Sequence, residues 1–145
     1  MKIKEILETI EERELPLVRE HETTGEVVKR MLKYPHTRVI YVVDKDGKCM
    51  GTISLGTLIR HLFPHGFEPA IHPRFLIPMI TFETAKHIMN KGLIYAANED
   101  NVEAVIERMI KAGIKEIAIL DDEKRVIADL AMQDLLKYYH LVESE

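Results

Sequence analysis

The sequence is poor in the residues that build closed chemical sites. It has a single cysteine, Cys49, and no tryptophan. One thiol cannot form an internal disulfide and is too few for a cysteine-based zinc or iron–sulfur site, so a reducing compartment is expected. Long apolar runs are also missing. The longest, Phe75 to Phe82, contains Pro78 and Thr81 and is far shorter than the ~20 residues of a membrane-spanning helix. Glu5, Glu8, Glu11 and Glu12 closely follow Met1, where a signal peptide would carry an apolar core, so a cytoplasmic protein is expected. Positive charge is not in excess: 20 Lys and Arg face 24 Asp and Glu, a formal charge of −4 with pI near 6.0, so there is no general field for a phosphate backbone and no nucleic-acid partner is expected. Gly-Lys-Ser/Thr, Gly-x-Ser-x-Gly and His-Glu-x-x-His are all absent, and Cys49 lies in a predicted strand with no histidine nearby, so no enzyme is expected.

What is present is an ordinary globular composition, 46% hydrophobic and 30% charged over 145 residues, enough for one compact unit or two small lobes. The chain also repeats itself. Val27-Val28-Lys29-Arg30-Met31-Leu32 matches Val105-Ile106-Glu107-Arg108-Met109-Ile110 in polarity, 78 residues on. Both segments predict an amphipathic helix, with Thr23/Glu26 and Asp100/Glu103 as cap pairs. Each helix leads into a short β-rich run, Val39 to Val43 and Ile117 to Leu120. An acidic turn at Asp44 or Asp121 follows, then a second strand, Cys49 to Ile53 or Val126 to Leu130, and a closing helix around Leu58 or Leu135. Ahead of each copy, Ile10, Leu15 and Val18 match Ile88, Leu93 and Ala96 at the same offset. The predicted organisation is a first repeat over residues 1–63, a connector over 64–83 holding four of the six prolines, and a second repeat over 84–145. The connector's apolar residues, among them Phe67 and Phe75, predict that it packs on the protein.

These residues resemble a tandem pair of cystathionine-beta-synthase (CBS) domains, a Bateman module. The family pattern is a helix ending in Met, a strand ending in Val-Val-Asp, then Gly, two apolar residues, Ser or Thr, any two, and Asp. The first copy reads Met31, Val42-Val43-Asp44 and Gly51-Thr52-Ile53-Ser54-Leu55-Gly56-Thr57; the second reads Met109, Ile119-Leu120-Asp121 and Ala128-Asp129-Leu130-Ala131-Met132-Gln133-Asp134. The resemblance implies an α+β fold of two β-α-β-β-α repeats related by pseudo-twofold symmetry and packed sheet to sheet. It implies clefts between the repeats that take AMP, ADP, ATP or S-adenosylmethionine, a homodimer, and a regulatory role toward a protein effector. No resident cofactor is expected. The motif Asp would accept both ribose hydroxyls, the Ser or Thr three residues earlier would contact phosphate, and Arg38 and Lys115 occupy positions that reach phosphates in relatives. A carboxylate can accept two hydroxyl donors, and a hydroxyl at a helix start lies beside N–H groups that favour anions.

The sequence departs from the pattern in both copies. Ser54 is kept but Thr57 replaces the Asp; Asp134 is kept but Ala131 replaces the hydroxyl, and Ala128 replaces the Gly. The candidate ligand residues are therefore Asp134, Ser54, Thr57, Arg38 and Lys115, each with a plainer reading beside it. Asp134, Ser54 and Thr57 could equally be helix caps, and Arg38 and Lys115 solvated charges. His61, His65 and His72 cluster around the connector, but Pro64 interrupts the first pair and no metal is expected. The rival functional reading is a ligand-free dimerisation or scaffold module with degenerate clefts.

Overall fold

The computed structural model describes residues 1–34, 37–63 and 83–144. The elements in order are α1 (Ile3–Leu7), β1 (Leu17–Arg19), α2 (Thr24–Lys33), β2 (Val39–Val43), β3 (Cys49–Ser54), α3 (Leu55–Leu62), α4 (Ala85–Ile88), β4 (Tyr95–Ala96), α5 (Val102–Ala112), β5 (Glu116–Leu120), β6 (Val126–Ala131) and α6 (Met132–Glu143). They form an α+β fold with two three-stranded sheets, β1-β2-β3 and β4-β5-β6. In each, the outer strand runs parallel to the middle one after a helical crossover, and a hairpin adds the third antiparallel. No helix among the described residues is long and apolar enough to cross a membrane.

The compact units cut across the sequence repeats. A first-repeat unit spans Pro16–Leu93, and a second-repeat unit joins Met1–Leu15 to Ile94–Glu145. Each leading helix therefore docks on the repeat that it does not precede. The Ile3 and Lys4 N–H groups donate to the Asp100 and Asn98 carbonyls at 2.9 and 3.0 Å, while those of Ala85 and Lys86 donate to Glu22 and Glu20 at 2.8 and 3.0 Å. These bonds equate α1 with α4 at an offset of four residues more than the strands show. Ile10 is therefore not the counterpart of Ile88, as the sequence pattern suggested. The cause is a longer loop: Ile3 precedes Leu17 by 14 residues, whereas Ala85 precedes Tyr95 by 10.

Apolar spacing explains both cores. Val27 and Met31 on α2 cover Val18, Ile40, Val42 and Ile53; Val105 and Met109 on α5 cover Ile117, Ile119 and Leu130, joined by Ile3 and Ile6 of α1. Fully burying each such side chain stabilises by ~1.5–3 kcal/mol. Polar ties repeat as well. Arg30 Nη1 donates to the Leu17 carbonyl at 2.9 Å and Arg108 Nη1 to that of Tyr95 at 2.6 Å, and these arginines pair with Glu22 and Asp100. Asp44 and Asp121 accept backbone N–H bonds that close the two hairpins. The cap of α5 is Asn101, whose side chain accepts from Glu103 and Ala104 N–H, and not Asp100 as the spacing suggested; Asp100 instead binds Ala97 N–H and Arg108. Gly113 ends α5 at φ 67°, a left-handed conformation that favours glycine.

Candidate functional site

The two motif segments occupy the same place in their units, at the turn from the third strand into the closing helix. The Leu55 N–H donates to the Arg38 carbonyl at 2.7 Å and the Met132 N–H to the Lys115 carbonyl at 2.8 Å. This fixes Arg38 and Lys115 beside the starts of α3 and α6 through their backbones, with both residues exposed. In the first-repeat unit Ser54 is the N-cap: its Oγ accepts from the Thr57 N–H at 3.1 Å and its hydroxyl donates to Thr57 Oγ1 at 2.9 Å. Thr57 is thus the capped residue rather than the cap. In the second-repeat unit Ala131 holds the N-cap position and Asp134 is the third helical residue, reaching back to accept the Ala131 N–H at 2.9 Å. Asp134 supplies the acidic half of a capping box whose hydroxyl half is missing.

Asp134 has a second partner that spacing did not reveal. Arg13, in the long loop after α1, donates from Nη2 to Asp134 Oδ2 at 2.8 Å and to the Asp129 carbonyl at 3.0 Å, and from Nε to Asp129 Oδ1 at 3.1 Å. Both carboxylates are buried, at 7% and 6% exposure, so the guanidinium supplies the charge that burial requires. Burial raises the Asp129 carboxyl above its ordinary value, with Arg13 pulling the other way. Burial opposes the arginine charge, yet the Asp134 hydrogen bond and the field of both acids hold its pKa above the usual value. The missed signal was the four-residue excess of the loop carrying Arg13.

At the equivalent carbonyl of the first-repeat unit, Thr52 accepts the Asn90 N–H at 2.8 Å and its own N–H donates to the Asn90 carbonyl at 3.0 Å. Backbone lies directly on strand there, and a Cβ on Gly51 would sit 2.5 Å from the Asn90 carbonyl oxygen. In the second-repeat unit a side chain bridges the gap instead, and Ala128 has room where Gly51 has none. The stand-off accompanies a cavity of about 410 Å³, walled by Leu7, Ile10, Leu15, Ile127 and Ala128, with Glu11, Glu12, Arg13 and Asp129 also lining it.

The other candidates fall elsewhere. His65, His72 and the connector over residues 64–82 lie outside the described residues. His61 Nε2 is 2.8 Å from Glu83 Oε2. Cys49 is half-buried, its thiol pushed up to about 11 by burial, so it carries little thiolate near neutral pH.

Two β-α-β-β-α units, each with a polar motif at the strand-to-helix turn, define the tandem CBS class. The CBS domain pattern matches residues 2–64 and 85–141, and the chain belongs to that family. No curated protein matches it. Among solved structures it is similar to a CBS domain-containing protein from Thermotoga maritima, at 26% identity and TM-score 0.72 over 95% of this chain and 93% of that one. It is similar to the cytosolic domain of the Mg2+ channel MgtE in complex with ATP, at 25% identity and TM-score 0.64 over 84% of this chain and 44% of that one. The CBS domain pair of protein MJ0100, in complex with 5'-methylthioadenosine and S-adenosyl-L-methionine, shares the fold at 19% identity and TM-score 0.71, over 98% of each chain.

Proposed function

We propose that the protein is a non-catalytic regulatory module that binds an adenosine compound in the cavity of the second-repeat unit and signals its occupancy to a protein effector. The observation that carries this reading is the cavity lined by Arg13 and Asp129, where Arg13 also bonds the buried motif carboxylate Asp134. The ATP complex of the MgtE cytosolic domain supports it by family likeness. The ribose hydroxyls donate to Asp134, which requires Arg13 to release that carboxylate. Because Arg13 belongs to the loop behind α1, ligand entry shifts the packing of that loop, and the ligand favours the released state by its differential affinity. A thermal-shift panel of AMP, ADP, ATP and S-adenosylmethionine tests the reading: a ligand at 100 times its Kd stabilises by ~2.7 kcal/mol.

The module acts as a homodimer. Large apolar side chains are exposed in each unit, Leu32 and Ile59 in the first-repeat unit and Ile110 and Leu136 in the second-repeat unit, which fits their burial against a second copy of the chain. Sedimentation showing only monomer at tens of micromolar would refute this. The rival, a ligand-free scaffold, is favoured by the occupation of Asp134 by Arg13 and predicts no shift with any nucleotide.

A further inference from the structure

We propose that His61 and His87 make a proton-driven joint at Glu83 and Thr84, the two residues that lead into α4. The neutral form of His87 holds Thr84, the charged form of His61 holds Glu83, and a fall in pH exchanges the first tie for the second. No ligand is needed for this exchange.

Backbone bonds seat this junction on the turn before α2. The Glu83 carbonyl accepts from the Thr24 N–H at 3.0 Å and from the Thr24 hydroxyl at 3.2 Å, and the Ala85 and Lys86 N–H groups donate to Glu22 and Glu20 at 2.8 and 3.0 Å. The Thr84 N–H and the Glu83 carboxylate are met by histidines instead. His87 Nδ1 accepts the Thr84 N–H at 3.2 Å and lies 2.8 Å from Thr84 Oγ1. A ring nitrogen that accepts an N–H bond carries no proton, so this tie belongs to the neutral imidazole, and protonation turns the acceptor into a donor. His61 has the opposite requirement. Its Nε2 is closed off from solvent and stands 2.8 Å from Glu83 Oε2, and a carboxylate at that distance is held most strongly by a charged ring, in which both nitrogens donate. Other charged groups on these elements are Arg60 on α3, Lys86 on α4, and Glu20, His21 and Glu22 on the turn. Arg60 donates to Thr57 Oγ1, and Glu22 is engaged by the Arg19 N–H and by Arg30. An imidazole changes charge between about pH 5 and 8. The His87 tie is therefore present at the upper end of that range and lost as pH falls, and the His61 tie is present at the lower end and lost as pH rises.

Amide hydrogen exchange of the full chain, followed by NMR at about pH 7.5 and about pH 5.5 and corrected for the intrinsic pH dependence of exchange, tests the first tie. Protection of the Thr84 amide should fall severalfold at the lower pH relative to the Thr24 amide, whose acceptor is a carbonyl. His87→Gln supplies an acceptor that does not titrate and should keep Thr84 equally protected at both pH values. Thermal unfolding tests the second tie. Glu83→Gln should lower the Tm by about 1 to 3 °C at the lower pH and by clearly less at the higher. Constant Thr84 protection in the parent protein, or the same fall in His87→Gln, would overturn the role of His87. An equal Tm change at both pH values would overturn that of His61, and either result removes the exchange.

Discussion

At one carbonyl the two units solve the same problem differently. The Thr52 carbonyl is met by a backbone N–H from Asn90, the Asp129 carbonyl by the guanidinium of Arg13. A backbone partner demands contact and therefore Gly51; a side-chain partner stands off, permits Ala128 and leaves a cavity. The difference accompanies the loop after α1: from the start of that helix to the strand the chain is four residues longer than its counterpart at α4. It teaches that loop length ahead of a repeated strand, and not the motif alone, goes with whether a unit has a cavity beside that strand.

The comparison can be broken most strongly at Gly51. Gly51→Ala places a methyl against the Asn90 carbonyl oxygen, whose position is set by backbone hydrogen bonds, and should destabilise by about 2 to 3 kcal/mol in urea unfolding. The reverse exchange, Ala128→Gly, should lose only ~0.5 to 1 kcal/mol. Equal effects would show that the two strands do not differ in their room. Arg13→Ala leaves two buried carboxylates without their shared cation and should destabilise by about 2 kcal/mol, less than a wholly buried pair because Arg13 is itself 41% exposed. A loss confined to a few tenths would mean that the strut contributes only shape.

The caps sharpen the contrast. Ala131→Ser restores the hydroxyl half of the capping box that Asp134 already begins, and should stabilise by ~1 kcal/mol, while Ser54→Ala should lose about as much. Thermal unfolding of both variants checks the pair. The smallest effect is one of pH. The folded pKa of Asp129 is raised above its ordinary 3.8, so between those values the native state holds the proton more often than the unfolded chain, and stability falls as pH rises through that window. Asp129→Asn should lack this fall, measured by unfolding from about pH 4 upward.

The fold was readable because its signals are local and doubled. Helical periodicity at Val27/Met31 and Val105/Met109, alternate strands and acidic turns occur twice in the same order, and each pair of copies supports the other. The leading helices were misaligned by four residues because their docking partners lie far along the chain, and short apolar segments such as Ile3–Leu7 and Ala85–Ile88 carry too few residues to fix an offset. The motif itself placed Ser54, Thr57 and Asp134 at the helix starts. It could not reveal that a residue 121 positions away pairs with Asp134, since an arginine in a polar loop reads as solvated until the fold brings two acids to it.

The central claim is that the second-repeat unit, through Asp134, takes the ligand while the first-repeat counterpart Thr57 does not. Calorimetric titration of S-adenosylmethionine and AMP into the parent, Asp134→Ala and Thr57→Ala proteins tests it most directly, with circular dichroism confirming that each variant is folded. Hydrogen bonds to a charged group contribute ~1.5 to 3 kcal/mol, so the tighter-binding compound should lose about ten- to a hundredfold in affinity with Asp134→Ala and almost nothing with Thr57→Ala. Unchanged affinity in a folded Asp134→Ala protein would contradict the account.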